Sequence, residues 1–358
     1  MRQGRSAVGL LGLALALAGC SRASLTAIGP APAFDAGAAV EAGLGAGGAS
    51  GGDAAVDAGR GGVAGTGGVG GGGGVPGDGG LTGAGGAGGS GLVTCPSPAL
   101  KAGDTDQTVQ VGSTTRSYVL HIPSAYDGAA PVPLILDFHA QGGSGTGERT
   151  NSPYPAQTDA EGVVMAFPNG LKGPSGTAWN VGPCCVANVD DVAFARALVE
   201  QVRSIACVDP KRVYAVGVAT GGGMAYYLAC HAADAFAAVA PAAFDLLAEN
   251  VGDCLPSRPV TVISFRGTAD PLVPYAGGLS SVVDGMPVTF LGAQATFRKW
   301  GELDQCTGTP SAGDSNGCSA YPSCQDDAEV ILCSKQGGGL EAGNAGIAWP
   351  VLKRHSLP

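Results

Sequence analysis

The stretch with the most specific chemical pattern is residues 217–221, GVATG. The β-branched and aromatic run 213–216, VYAV, precedes it, and a helix-compatible segment, Met224 to Cys230, follows it. A strand, a sharp turn and a helix form the setting of the G-x-S-x-G motif, in which the turn exposes a serine that attacks a carbonyl carbon. The central residue here is Ala219, whose methyl group carries no oxygen. The sequence therefore predicts the frame of a nucleophile site without its nucleophile.

Two further stretches carry residues that would serve the same chemistry. Residues 138–145, FHAQGGSG, directly follow an apolar run. Backbone N–H groups in such a loop, and just after the nucleophile, stabilise an oxyanion, so Gln141 and Thr220 are the candidate oxyanion-hole residues. Asp270 lies in residues 266–275, RGTADPLVPY, after another apolar run, where a carboxylate can orient a histidine.

The elements that must position these residues alternate along the chain between strand and helix patterns. This alternation indicates an α/β fold with a mostly parallel sheet and helices on both faces. The expected strands are 116–122, 132–138, 163–167, 213–217, 236–240, 260–265 and 328–333. Three helices are expected. The first begins after a cap at Asp190 or Asp191, the second follows the 217–221 turn, and the third covers residues 293–300.

Further segments share a pattern with one known family. They are 167–170 (FPNG), 179–185 (WNVGPCC), 189–194 (VDDVAF), 208–214 (VDPKRVY), 222–225 (GGMA), 267–270 (GTAD), 337–339 (GGG) and 349–350 (WP). Together these stretches resemble the secreted polyhydroxybutyrate depolymerase and feruloyl esterase group of α/β-hydrolases. The resemblance extends over most of residues 110–350 and implies a disulfide-rich α/β-hydrolase domain with a Ser-Asp-His triad that hydrolyses carboxylic esters.

The sequence departs from the family pattern at two of the three triad positions. The family has G-x-S-N-G at the turn, so Ala219 takes the nucleophile position. The family ends in G-H-x-W-P where this chain has GIAWP at 346–350, so Ile347 is expected at the histidine position and Asp270 is the retained acid. The resemblance with these departures predicts a catalytically impaired domain that at most binds an ester or glycan ligand.

An alternative interpretation keeps the chain as an active carboxylic ester hydrolase for polyhydroxyalkanoate or feruloyl esters. Thr220 would then be the nucleophile, with His355, the histidine that follows Asp270, as its base. His139 is expected to be a structural histidine of its loop. The distances among Ala219, Asp270 and Ile347 discriminate between the two interpretations.

The first residues carry the pattern of an export signal. Arg2 and Arg5 precede an apolar run, 8–18, that ends in LAGC at 17–20, which resembles the bacterial lipobox with Cys20 as the lipidated residue. We expect a lipoprotein signal peptide over 1–20, a disordered Gly/Ala-rich tether over 21–92 and the esterase-like domain over 93–358. The protein is expected to be exported and anchored in the outer membrane or at the cell surface through this lipid, or otherwise to be extracellular.

The composition limits the partners and predicts cross-links. A formal net charge of −10 gives the chain no electrostatic attraction for nucleic acid. Of eleven cysteines, the ten that remain without Cys20 predict up to five disulfides, with Cys230 and Cys254 paired locally and the four cysteines of 306–333 holding one excursion. The four histidines are scattered without zinc-like spacing, so neither a metal nor a cofactor is expected.

Overall fold

The computed structural model describes residues 93–281 and 286–358. The predicted signal peptide, Cys20 and the tether of 21–92 lie outside the described residues and stay predictions. None of the helices that the structure describes is long and apolar enough to cross a membrane.

The described residues alternate between strands and helices. The strands are β1 Gly103–Val111, β2 Thr114–Ile122, β3 Val132–Phe138, β4 Val164–Pro168, β5 Leu171–Gly173, β6 Gly176–Ala178, β7 Val208–Val218, β8 Ala238–Ala242, β9 Thr261–Gly267, β10 Gly278–Ser280, β11 Val288–Phe290, β12 Cys318–Ala320 and β13 Val330–Lys335. The helices are α1 Gly145–Asn151, α2 Pro155–Thr158, α3 Asp191–Ile205, α4 Thr220–His231, α5 Ala293–Leu303 and α6 Ala345–Leu352.

One large sheet organises these elements. Its strand order is β1-β2-β4-β3-β7-β8-β9-β13-β12. The pairings β4–β3, β3–β7, β7–β8, β8–β9 and β9–β13 are parallel, and antiparallel pairs lie only toward the two edges of this sheet. The carboxyl ends of β3, β7 and β9 therefore meet at one edge, which brings the loops after residues 138, 218 and 267 together. The predicted α/β class with a mostly parallel sheet is confirmed.

Most predicted elements are present, and their differences are at the ends. The helix after Asp190 begins with that side chain accepting a hydrogen bond from the Ala193 N–H at 2.7 Å, which is a regular N-cap. The strand expected at 213–217 starts earlier, at Val208, and the helix after the turn starts at Thr220. Strand β1 was not expected because its burial pattern is almost wholly exposed and gives no apolar run.

The sheet separates two apolar layers. On one side, α3, α4 and α5 bury Phe194, Met224 and Trp300 against it. On the other side, α6 buries Trp349 against Tyr214 of β7, with ring centroids 5.8 Å apart and the planes at 80°. Helices thus cover both faces, which is why the central strands read as continuous apolar runs.

Five disulfides join the ten cysteines of the described residues. The local pair Cys230–Cys254 is present as predicted. The excursion of 306–333 is held by two bonds, as expected. Those two bonds are Cys306–Cys324 and Cys318–Cys333, and the other two disulfides are Cys95–Cys207 and Cys184–Cys185.

Candidate active site

The turn between β7 and α4 has the backbone of a nucleophile elbow. Ala219 has φ 51° and ψ −121°, a conformation that residues other than glycine seldom adopt. Its N–H donates to the Ala242 carbonyl at 3.0 Å, and its carbonyl accepts from the Gly223 N–H at 2.9 Å. Strain of this kind persists where the surrounding structure fixes the backbone, and it is commonest at active sites. The elbow is therefore retained although its central side chain is a methyl group.

Close backbone packing explains why the elbow keeps its shape. A Cβ atom on Gly221 would lie 1.9 Å from the Phe138 carbonyl oxygen, and one on Gly217 would lie 2.7 Å from the same atom. No side chain fits at either position. The two glycines of GVATG thus let β7 and α4 approach the end of β3, and this approach imposes the sharp bend at Ala219.

The loop after β3 lies beside the elbow, as the oxyanion-hole prediction requires. Gln141 and Thr220 both line the cleft that contains Ala219. The Gln141 side-chain nitrogen donates to the Ser175 carbonyl at 3.1 Å, which holds the loop against residue 175. Thr220 is the first residue of α4, and N–H groups of a helix's first turn have no acceptor within the helix. The structure brings these candidates together; their catalytic role stays a prediction.

Asp270 follows β9 and is held from one side only. It is 7% exposed, and its Oδ1 atom accepts from the N–H groups of Leu272 at 2.9 Å and Val273 at 3.0 Å. Its Oδ2 atom is buried and has no hydrogen-bond partner among the described residues. In a working triad, the ring N–H of the histidine donates a hydrogen bond to such an oxygen atom. Asp270 thus has one buried carboxylate oxygen without a partner among the described residues, and its role as a triad acid stays a prediction.

The loop after β13 packs against the loop that carries Asp270 and brings Leu340 to the cleft that contains Ala219. After β13 the chain turns over the Asp270 loop: the Ala269 N–H donates to the Gly338 carbonyl at 2.8 Å, and a Cβ atom on Gly267 would lie 1.9 Å from the Gly339 carbonyl oxygen. Leu340 follows at once and lines the cleft with Ala219. Sequence reasoning missed Leu340, although the Gly-Gly-Gly turn directly after a late strand was a usable signal.

Ile347, which the sequence places at the histidine position, lies apart from the cleft that contains Ala219, and its role stays a prediction. It lies on α6 and lines a different cavity, together with Phe265 and Asn344. It packs against the apolar layer that α6 covers. The physical reason is the turn at 337–339, which delivers the residue after the glycines to the cleft before α6 begins. Leu340 lines the cleft with Ala219, next to the loop that carries Asp270, and Ile347 does not.

None of the chain's four histidines reaches this site. His139 is 1% exposed, donates from Nδ1 to the Ala140 carbonyl at 2.7 Å, and accepts at Nε2 from the Gly170 N–H at 2.9 Å. Burial lowers the pKa of His139, and both ring nitrogens are occupied, as expected of a structural histidine. His355 lies 2.8 Å from Glu329, just before β13 and so at the opposite end of the sheet from Asp270. His121 bonds Asp104 and Asp159, and His231 ends α4.

The Thr220 hydroxyl is not bonded to a histidine in this arrangement. Its side chain is 2% exposed, and its Oγ1 atom has no hydrogen-bond partner among the described residues. A hydroxyl needs an adjacent base to attack at neutral pH. His355, the base that the alternative interpretation requires, is at the other end of the sheet.

The cleft over Ala219 is small and largely apolar, and we call it the elbow cleft. Its volume is about 280 Å³. The described residues that line it are Ala140, Gln141, Ser175, Ala219, Thr220, Phe244, Leu272, Val273 and Leu340. The cleft can thus receive an apolar group beside the N–H groups at the start of α4, and no histidine is among its lining residues.

A buried ion pair lies beneath the cleft. Asp245 and Arg266 are 1% and 0% exposed and bond each other directly. Arg266 also donates from Nη2 to the Val273 carbonyl at 2.6 Å, which ties it to the Asp270 loop. Burial raises the pKa of Asp245 to about 6 against the lowering effect of Arg266, and the Asp270 charge adds to the rise. The guanidinium is therefore committed to Asp245 and to a backbone carbonyl.

Comparison with known proteins places the domain among esterases. Feruloyl esterase B of Piromyces equi is 43% identical over 246 residues, covering 68% of this chain and 46% of that protein. Feruloyl esterase C of Emericella nidulans is 34% identical over 170 residues, covering 46% of this chain and 58% of that protein. The chain spans about half the length of these relatives. No protein-family profile matches the sequence.

A solved structure shares the fold. Acetyl xylan esterase from Aspergillus awamori aligns with a TM-score of 0.52 at 14% identity, over 70% of this chain and 99% of that one. At this identity the likeness concerns the fold alone. The chain is similar in sequence to the two feruloyl esterases, and its central sheet is mostly parallel. The described domain therefore belongs to the esterase group of the α/β-hydrolases.

Proposed function

We propose that this chain is a non-hydrolytic member of its group, which binds an ester or a related acyl compound in the elbow cleft without cleaving it. The observation that carries the proposal is Ala219 in the strained elbow conformation, where the nucleophile of an esterase would stand. A methyl group cannot form the covalent acyl intermediate on which serine esterases depend.

We assign the lost histidine position to Leu340 rather than Ile347. The support is the turn of 337–339 over the Asp270 loop, the shared cleft of Leu340 and Ala219, and the unpartnered Oδ2 atom of Asp270. The positions of the nucleophile and of the base would then both carry aliphatic side chains, those of Ala219 and Leu340. Because triad members act as a unit, the rate left by oxyanion donors and binding alone is about 10³–10⁴-fold above the reaction in water, far below a working esterase.

Binding remains possible because the other parts of the cleft are present. The apolar side chains of Phe244, Leu272 and Leu340 can cover an aryl or alkyl group, and each Å² of apolar surface removed from water contributes roughly 25 cal/mol. The N–H groups near Gln141 and Thr220 can donate to an ester carbonyl. Feruloyl esters are the first compounds to try, because the two relatives above are feruloyl esterases.

The site of action is proposed to be outside the cytoplasm. Five disulfides indicate an oxidising compartment. The LAGC sequence at 17–20 supports a lipid anchor on Cys20, with residues 21–92 as the tether that separates the anchor from the domain. Radiolabelled palmitate should label the full chain in a bacterial host and should not label the Cys20→Ala variant.

The test of the proposal is direct measurement on the full chain. A fluorophosphonate probe should not label it, and hydrolysis of p-nitrophenyl acetate should equal that of the Ala219→Gly variant. Methyl ferulate should bind and be recovered intact after overnight incubation. Stoichiometric labelling that maps to Thr220 would overturn the proposal in favour of an active hydrolase.

A further inference from the structure

We infer that the elbow cleft selects uncharged ligands, esters or amides, and excludes the corresponding carboxylate anions. This inference rests on the proposed function, since it specifies what a non-hydrolytic cleft retains. It follows from the charges that the loss of a histidine has left at the site.

The lining of the cleft supplies no positive charge. Its nine described residues include three polar side chains, those of Gln141, Ser175 and Thr220, and the rest are apolar. A carboxylate entering this space loses its hydration and gains no lysine, arginine or histidine in return. Burying an ionised group without a partner of opposite charge is strongly unfavourable.

The floor of the cleft adds a negative charge. Leu272 and Val273 line the cleft, and their N–H groups are the donors to Asp270. The Oδ2 atom of Asp270 is buried and has no hydrogen-bond partner among the described residues. Asp270 is therefore a carboxylate held just behind the lining, without the imidazole that accompanies it in a triad.

The nearest candidate for a counter-charge is already used. Arg266 is fully buried, bonds Asp245 and donates to the Val273 carbonyl. The charges of Asp245 and Arg266 offset each other, which leaves that of Asp270 uncompensated. None of the four histidines lines the cleft. His139 directly precedes the lining residue Ala140, but burial lowers the pKa of its ring and both ring nitrogens are hydrogen-bonded.

One feature acts in the opposite direction. The N-terminus of α4 begins at Thr220 and favours negative charge, with a strength equivalent to about half an elementary charge. The Asp270 carboxylate is a full charge behind the same cleft. The loss of hydration and the Asp270 charge both oppose an anion, whereas the partial charge of the helix attracts the carbonyl dipole of an ester or amide.

Selection of this kind distinguishes an esterase substrate from its product. An esterase converts a neutral ester into an acid and releases it. A cleft that binds the ester and rejects the acid instead separates substrate from product, and it responds to intact esters in a mixture of both. The cleft thus discriminates between these compounds by their charge rather than by their shape.

The experiment compares three compounds of nearly equal size on the full chain at pH 7.5. They are methyl ferulate, ferulamide and ferulate, titrated by calorimetry. The ester and the amide should bind with similar affinity, and ferulate should bind at least about tenfold more weakly, as expected for two like charges separated by a partly desolvated lining. The amide controls for size, because it lacks the charge but not the volume of the acid.

Asp270→Asn should reduce this discrimination, since it removes the charge while the side-chain oxygen can still accept from Leu272 and Val273. Asp234→Asn is the matched control: Asp234 is an exposed acid that bonds Arg196 away from the cleft, and its loss should leave the discrimination unchanged. Ferulate binding as tightly as its ester and amide to the wild-type chain would overturn the inference while leaving the proposed function intact. Failure of all three to bind would refute the proposed function, and with it this inference.

Discussion

Leu340 and Ala219 line the same cleft, and Asp270 lies directly behind it with one carboxylate oxygen unpartnered. These three residues come from the loops after β13, β7 and β9, which the parallel sheet brings to one edge. Under the proposed function, these two aliphatic side chains stand where an esterase has its oxygen nucleophile and its imidazole base. The proposed loss of activity is then reversible in principle, because the backbone of the elbow is in place.

The first prediction concerns that reversal. The double variant Ala219→Ser/Leu340→His should acquire esterase activity, because it supplies a nucleophile at the elbow and a histidine beside Asp270. Hydrolysis of p-nitrophenyl acetate should rise at least about 10²-fold above the wild-type rate, the lower end of what a positioned general base contributes. The fluorophosphonate probe should label the new serine.

A second double variant provides the matched control for the histidine position. Ala219→Ser/Ile347→His carries the same two residue types but places the imidazole on α6, in a different cavity. It should remain as slow as Ala219→Ser alone. Equal activity of the two double variants would show that the assignment to Leu340 is wrong, and adding Asp270→Asn to the active one should remove most of the gain.

The second prediction concerns the strained backbone at Ala219. Replacing this alanine by glycine removes the Cβ atom that a positive φ disfavours, so Ala219→Gly should stabilise the domain by up to about 1 kcal/mol. A rise in Tm of about 2–4 °C is expected by differential scanning calorimetry. Ala229→Gly, in the interior of α4, is the control and should lower Tm, because there glycine loses helix propensity and packing. A fall in Tm for Ala219→Gly would contradict the strain at the elbow.

The third prediction concerns the pH dependence of stability and two acidic residues near the loop after β3. Burial raises the pKa of Asp137 on β3 to about 7. Burial, and then the charge of Asp137, raises the pKa of Glu148 on α1 to about 8. The folded protein therefore keeps protons that the unfolded chain releases near pH 4, so this pair's contribution to the free energy of unfolding falls as the pH rises from about 4 to about 8.

The groups that face Asp137 define the control for this pH effect. Ser152 donates to its Oδ2 atom at 2.6 Å, and the buried hydroxyl of Tyr154 and the Glu148 carboxyl are its other titratable or polar neighbours. Asp137→Asn keeps an acceptor for Ser152 and removes the charge. Urea denaturation at pH 5 and pH 8 should therefore show a smaller loss of stability in the variant than in the wild-type chain. An unchanged difference between the two pH values would reject the role of Asp137.

The fourth prediction compares two disulfides. Cys95–Cys207 closes a sequence separation of 112 residues, and Cys318–Cys333 closes one of 15. Chain-entropy arguments give roughly 4.7 kcal/mol for a 100-residue loop and about 3 kcal/mol for a 15-residue loop. Paired Cys→Ala variants should therefore lose stability in that order in urea. The opposite order would indicate that packing around the bonds, rather than loop closure, determines their contribution.

Much of the fold could be predicted from local patterns. The strand at 132–138 and the helix capped by Asp190 follow from an apolar run and from an acid placed before helical spacing. Strand β1 could not be predicted this way, because an exposed edge strand has no apolar pattern and exists only through pairing with β2.

The site could be predicted in part for a similar reason. Ala219 and Asp270 follow strands directly, so their place in the fold is set by sequence-local features. The histidine position depends on how the chain returns after β13, which is decided by contacts between the 337–339 turn and Gly267. Those contacts are long-range, so the motif at 346–350 alone could not show that Leu340, rather than Ile347, lines the cleft with Ala219.

The packing of Gly217 and Gly221 on the end of β3 involves main-chain atoms alone. The identity of the residue held between them has no part in it. A backbone arrangement maintained in this way does not depend on a catalytic side chain, so the residue at the centre of the turn can be exchanged while the fold is conserved.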